Sequence, residues 1–258
     1  MSTGAWHPSR YDFEDNDSDR TTHYGRLTPR LAAVRAVAPH KEPTRKVGRA
    51  RVLVVPMLDE TAEVGGGRST GRARFSALSL WRHAVAARDR SFTTAVRRSF
   101  ASCGAGSLLR LPIRVYGEQS ISVGRNVVIG EGSWLQTLGD GAIEIGDGCR
   151  VSGFLVLSAA LSIVLEPDVL IARNVHILDH IHRFDRGDLP IHAQWITAPR
   201  QVRIGQGSWI GANVVILPGV TIGRGSVVGA NSVVDRDVRD RVVVVGAPAR
   251  EVRQLDAE

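Results

Sequence analysis

The chain has 258 residues, a net charge of +7 and two cysteines, Cys103 and Cys149, which excludes a disulfide framework or a thiolate metal cluster and agrees with a reducing compartment. The charge is uneven: residues 1–100 carry 18 Lys+Arg against 10 Asp+Glu, and residues 101–258 carry 15 against 16. A basic tail with few interleaved aromatics is no nucleic-acid module, and no stretch reads as a signal peptide or bilayer span, so the expected protein is soluble and cytoplasmic, with neither nucleic acid nor integral membrane association.

Residues 1–74, rich in Arg, Pro, Gly, Ser, Thr and acidic residues, are expected to be a disordered basic tail. Within it, Arg51 to Leu58 is the one strand-like run, and Met57 is the only internal methionine, a candidate alternative start. Residues 75–120 are expected to form a helical cap and lead-in. The spacing of Leu78, Trp81, Val85, Phe92, Val96 and Phe100 predicts an amphipathic helix, with a break near Asp89 to Ser91. Such a stripe suits the open end of a repeat array, which needs a cap; a membrane-surface helix is the alternative.

From residue 121 to 240 apolar residues recur every sixth position: Val123, Ile129, Leu135; Ile145, Val151, Leu157; Leu165, Ile171, Ile177; Ile204, Ile210, Ile216; Ile222, Val228, Val234. A period of six fits neither an isolated helix nor an alternating strand. It fits short strands wound into a three-sided coil, a parallel β-helix, with the first residue of each hexad pointing inward. The fifth position is small or branched, as at Ser133, Cys149, Val169, Ser208 and Ser226, and is also expected inside. Cys149 is therefore a packed thiol rather than a nucleophile. Residues 241–258 form a closing C-terminal segment.

The register stops at Ile177 and restarts at Ile204, leaving a loop over 178–203. Insertions in repeat arrays map to one face, often the functional one. This loop holds His180, His182 and His192, with His176 just before it, and Asp179, Asp185, Asp188 and Trp195. Imidazole titrates near neutrality and suits general-base work, with a carboxylate fixing its tautomer. His180 and His182 are rival bases in the DHIH segment, and Asp179 either positions the base or is an exposed turn carboxylate.

The hexads, the NVHILDH segment entering the loop, WIGANVVILPGVTIG and the closing VVGAPAREVR stand in the same order as in one family. Over roughly half its length the chain resembles the left-handed β-helix acyltransferases, especially sugar O-acetyltransferases related to maltose, galactoside and polysaccharide enzymes. The resemblance implies a homotrimer with active sites between subunits, acetyl-CoA as acyl donor and no metal. It implies His180 as the base, backbone contacts to coenzyme A at Ala212 and Ala230, and phosphate contacts from Arg236, Arg250 and Arg253; Trp209 either walls the thioester channel or, as an outward-facing aromatic, fills the trimer interface. Gly153 stands where galactoside and maltose enzymes carry an acceptor-contacting Asn, so their specificity does not carry over. Trp134 is either a sugar-stacking ring near this pocket or an external aromatic packed on the cap helix. The expected reaction is acetyl transfer to a hydroxyl of a sugar, polysaccharide or glycolipid. Alternatives are N-acyl transfer to an amino sugar, a γ-carbonic-anhydrase-like metalloenzyme, or a non-catalytic trimeric scaffold.

Overall fold

The computed structural model describes residues 76–256. The expectations for residues 1–74, including the Arg51 to Leu58 run, lie outside the described residues. One helix, α1 (Ala77–Val96), leads into a parallel β-solenoid whose short strands build three sheets. We call these sheets A, B and C, in the order in which the chain visits them on each turn.

Coil 1 is Ser102–Cys103, Leu108–Leu109 and Arg114–Tyr116; coil 2 is Ile121–Val123, Val128–Ile129 and Trp134–Thr137. Coil 3 is Ala142–Ile145, Arg150–Val151 and Val156–Ala159; coil 4 is Ser162–Leu165, Leu170–Ile171 and His176–Leu178. Coil 5 is Val202–Ile204, Trp209–Ile210 and Val215–Ile216; coil 6 is Thr221–Ile222, Val227–Val228 and Val233–Val234. Each strand pairs in parallel with the strand one coil away, as in Leu165↔Ile204, Ile171↔Ile210 and Ile177↔Ile216.

The hexad rule explains the core. Every first-position residue from Val123 to Val234 is at most 3 % exposed, and the fifth-position serines and Cys149 are buried with them. Burial pushes the Cys149 thiol up to about 11, as expected of a packed rather than a reactive sulfur. The buried serines are satisfied by corner carbonyls: Ser133 Oγ donates to Gly130 O at 2.7 Å and Ser226 Oγ to Arg239 O at 2.6 Å. At the corner between sheets B and C, Asn174, Asn213 and Asn231 adopt left-handed φ near +59°, a conformation that Asn tolerates better than bulkier residues. Their side chains form a ladder, Asn174 Nδ2 donating to Asn213 Oδ1 at 2.9 Å and Asn213 Nδ2 to Asn231 Oδ1 at 3.0 Å.

Both ends of the solenoid extend beyond the expected limits. The coils begin at Ser102, not at 121, and residues 108–116 are the second and third sides of coil 1 rather than a lead-in. Cys103, Leu109 and Val115 keep the six-residue spacing. The signal is weak because an end coil has only one neighbour to bury it, leaving Cys103 and Val115 half-buried. At the other end Val242–Val245 adds a strand to sheet B, and Arg250–Gln254 folds back antiparallel against it.

Helix α1 runs unbroken through Asp89 to Ser91, against the expected break. The reason is that Asp89 turns inward. It is buried, pairs with Arg88 at 2.7 Å and accepts from Leu111 N. One turn on, buried Thr93 Oγ1 accepts the Leu109 amide at 2.9 Å, satisfying a donor on the otherwise open edge of coil 1. The expected apolar cap is only half made: Phe92 and Val96 pack on the core, while Leu78 and Trp81 remain 63 % exposed on the projecting N-terminal turns.

Candidate active site

The loop over 178–203 leaves the solenoid at the corner between sheets C and A, directly after Ile177 and Leu178. Its base is an antiparallel ribbon. Thr197 N donates to Ile181 O at 2.8 Å, Ile181 N to Thr197 Oγ1 at 3.2 Å, Arg183 N to Trp195 O at 3.0 Å, and His182 bridges Ile196. Farther out, buried Gln194 clasps the tip: its amide nitrogen donates to Arg186 O and Leu189 O, and its carbonyl accepts from Arg186 N. The rest of the tip is exposed, including His182, His192, Asp185 and Asp188, and Trp195 is 64 % exposed at φ +64°. Asp185 and Asp188 are paired with Arg183 and Arg186.

At the foot of the loop lie two buried polar side chains. Asp179 is fully buried and His180 is 8 % exposed. Asp179 accepts the backbone amides of Ala160 (2.9 Å), Leu161 (2.7 Å) and Ser162 (2.8 Å), which turn the preceding coil at the same corner. His180 Nδ1 lies 2.7 Å from Asp179 Oδ1. Burial alone would raise the Asp179 carboxyl, but the hydrogen bonds from His180 and the three amides together outweigh it and hold its pKa below the ordinary aspartate range. A carboxylate can only accept, so the Nδ1 position carries the proton and the neutral ring keeps its lone pair on Nε2. Asp179 is thus a buried partner of His180, not an exposed turn carboxylate.

The other expected site residues divide between two edges of the prism. Arg236 lies on the same edge as His180, two coils farther on, about 10 Å along the axis at a strand spacing of ~4.8 Å. Arg236 and Arg250 converge on the Asp235 carboxylate at 3.3 and 3.1 Å. The hydrogen bond from Arg236, then that from Arg250, holds the Asp235 carboxyl below its usual range. Arg253 is not part of that cluster; it pairs with Val243 in the closing antiparallel strands. Ala212 and Ala230 occupy the opposite edge of sheet C, at the corner with sheet B, where the Ala212 carbonyl accepts from Asn231 N at 2.8 Å. Trp209 lies half-buried on the outer face of sheet B, between Leu170 and Val227. In one chain, therefore, the Asp179–His180 pair and Arg236 share an edge that Ala212, Ala230 and Trp209 do not.

Gly153 has a structural reason. Its φ is +123°, and an added Cβ would meet Glu131 O at 2.7 Å, so the sheet B to sheet C corner of coil 3, stacked on the same corner of coil 2, requires glycine there. Among the described residues no three His, Cys, Asp or Glu side chains are grouped as metal ligands would be. Sequence reasoning missed Gln194 and Thr197, which shape the loop, and the Ala160 to Ser162 amides, which hold Asp179. Nothing in their spacing marks them, because no repeat relates any of them to its partner.

The sequence and the fold are similar to those of known proteins. The family description "Bacterial transferase hexapeptide (six repeats)" matches residues 201–236. The chain is 34 % identical over 157 residues to WbbJ of Escherichia coli, named for O-acetyl transfer in lipopolysaccharide biosynthesis, covering 58 % of this chain and 80 % of that protein. It is 29 % identical over 161 residues to the galactoside O-acetyltransferase of Escherichia coli, covering 62 % of this chain and 67 % of the relative. In fold it is similar to AntD, an N-acyltransferase from Bacillus cereus solved with dTDP and 3-hydroxybutyryl-CoA, with a TM-score of 0.57 and 23 % identity over 65 % of this chain and 88 % of that one. The chain belongs to the hexapeptide-repeat, left-handed β-helix acyltransferase family. It is an acyltransferase.

Proposed function

We propose that the protein transfers an acetyl group from acetyl-CoA directly to a hydroxyl of a sugar, polysaccharide or glycolipid acceptor, with His180 as general base. The observation that carries this reading is the buried Asp179–His180 pair at 2.7 Å, which fixes the imidazole tautomer and leaves Nε2 as the available base. Nε2 takes the acceptor's hydroxyl proton as that oxygen attacks the thioester carbonyl. The C–S bond then breaks, the coenzyme A thiolate leaves, and His180 returns the proton to it. Asp179 stabilises the transient imidazolium. No acyl-enzyme intermediate is needed. His182, on the exposed ribbon and bridged to Ile196, has no comparable positioning partner among the described residues.

Arg236 and Arg250 suit the phosphates of the donor, since a guanidinium donates two parallel hydrogen bonds to an oxyanion. Asp235 between them holds both in place and leaves the cluster with one net positive charge. Ala212 and Ala230 lie on the edge opposite His180, which supports an active site shared by neighbouring copies of a cyclic trimer. Light scattering should find that trimer, and a stable monomer at working concentration would contradict it.

The test is calorimetric titration with acetyl-CoA, then free-thiol release over a sugar panel for wild type and His180→Ala. Binding retained and release lost in the variant support the reading. Release retained in His180→Ala but lost in His182→Ala would move the base.

A further inference from the structure

The residues assigned above to the donor, Ala212, Ala230, Arg236 and Arg250, all lie in chain beyond His180. Those donor residues stand on coils 5 and 6 and the closing segment, which leaves the surface of coils 1 to 3 next to the base for the acceptor. The surface there that adjoins the base is the outer face of sheet C. Two columns of side chains run up it: Arg114, Trp134, Val156 and His176 in one, Tyr116, Gln136, Ser158 and Leu178 in the other. The second column leads to the base, since Leu178 precedes Asp179 and the Asp179 amide faces the Ser158 carbonyl.

The composition of this face changes at the base. Beyond it, coils 5 and 6 present the aliphatic Val215, Leu217 and Val233, and the second column ends on Asp235 of the arginine cluster, with no ring among them. Before it stand two uncovered rings, Tyr116 at 57 % and Trp134 at 38 % exposure. Between them Gln136 is held to Ser158, its Nε2 lying 3.5 Å from Ser158 Oγ. Exposed rings offer a flat apolar face, and an anchored amide offers a donor and an acceptor. That combination suits a pyranose, which has an apolar C–H face and a hydroxyl rim. From Ser158 to Tyr116 is two strand spacings, about 10 Å, longer than one sugar ring.

We propose that the outer face of sheet C over coils 1 to 3, with Trp134 and Tyr116 as stacking rings and Gln136 as the hydrogen-bonding group, is an acceptor subsite for a glycan of two or more sugar units. This rests on the reading of His180 as the base.

The experiment is an array of immobilised linear oligosaccharides of one to six hexose units, probed with the full-length protein as wild type, Trp134→Ala, Trp134→Phe and Tyr116→Ala. Acetyl-CoA titration and light scattering are run on the same samples. The expected result is wild-type binding to glycans of two or more units, weakened about tenfold or more by Trp134→Ala and Tyr116→Ala and largely restored by Trp134→Phe, with acetyl-CoA affinity and oligomer mass unchanged. Wild-type binding to no glycan longer than one unit, or glycan binding indifferent to Trp134, overturns the subsite. So does a Trp134→Ala protein whose oligomer mass falls, which would place the ring between subunits. Failure of wild type to bind acetyl-CoA would instead strike the underlying acyl-transfer reading.

Discussion

Asp179 Oδ1 accepts the Nδ1 hydrogen of His180 at 2.7 Å, while the same carboxylate gathers three backbone amides from the preceding coil. One side chain thus orients the base and fastens the corner on which the base stands. The two neighbours should therefore fail differently when changed. His180→Ala should lower kcat by about 10²–10⁴-fold, roughly 3 kcal/mol of barrier or more, with little change in unfolding midpoint. Asp179→Ala should lose activity and also about 1–3 kcal/mol of stability, because three part-buried amides lose their charged acceptor. Denaturant unfolding beside thiol-release kinetics checks both, and an unaltered midpoint in Asp179→Ala would refute the fastening role.

Glu166 should dominate the acid side of the stability profile. It is buried at the corner between sheets A and B and accepts from Gln206 N at 2.9 Å, from Arg224 Nε at 3.0 Å and from Arg203. The Gln206 amide first, then Arg224 and Arg203 against a smaller opposing effect of burial, lower its pKa from 4.5 to about 2. Because the folded-state value is the lower one, this contribution is fully present above pH ~4.5 and is lost as pH falls toward about 2. Asp179, with its pKa also lowered, acts in the same direction. In Glu166→Gln the stability at pH 7 should drop and its decline between pH 4.5 and 2 should flatten. A slope equal to wild type in that window would rule the assignment out.

The Gln194 clasp predicts a local effect. Gln194→Ala strips partners from Arg186 N, Arg186 O and Leu189 O, which should loosen the loop tip by about 1–3 kcal/mol without moving the global midpoint. Limited proteolysis should then cut faster between residues 183 and 193. The value of kcat/KM should fall while acetyl-CoA affinity stays the same, since the donor residues lie elsewhere.

For the arginine pair, Arg236→Ala and Arg250→Ala should each raise KM for acetyl-CoA with kcat little changed, the pattern of lost ground-state binding. Removing Asp235 by Asp235→Asn releases both guanidiniums from their shared partner. The outcome to check is the salt dependence of KM, which should become steeper in that variant as the net positive charge rises. Arg253→Ala, which alters a side chain outside the cluster, is the comparison and should leave KM near wild type.

Much of this architecture could be read from the chain because a hexad is a local pattern with a direct three-dimensional meaning. Ile204, Ile210 and Ile216 are buried for the same reason that they recur every six residues: each faces the interior of one side of the prism. The loop was visible as a gap in that period, and His180 as part of a segment entering it. End coil 1 escaped notice because Cys103 and Val115 keep the spacing without full burial. The break predicted in α1 was wrong because Asp89, polar by sequence, turns inward to Arg88 and Leu111.

The winding, the core and the place of the interruption follow from the chain alone, since these depend on which residues sit six apart. It takes the folded solenoid to bury Asp179 against amides of another coil, to close the loop with Gln194, and to set Arg236 on the edge of His180 while Ala212 lies on another. Those relations lie between coils or within the inserted loop, and a hydrogen bond there depends on side-chain direction and corner geometry rather than on any repeating spacing along the chain.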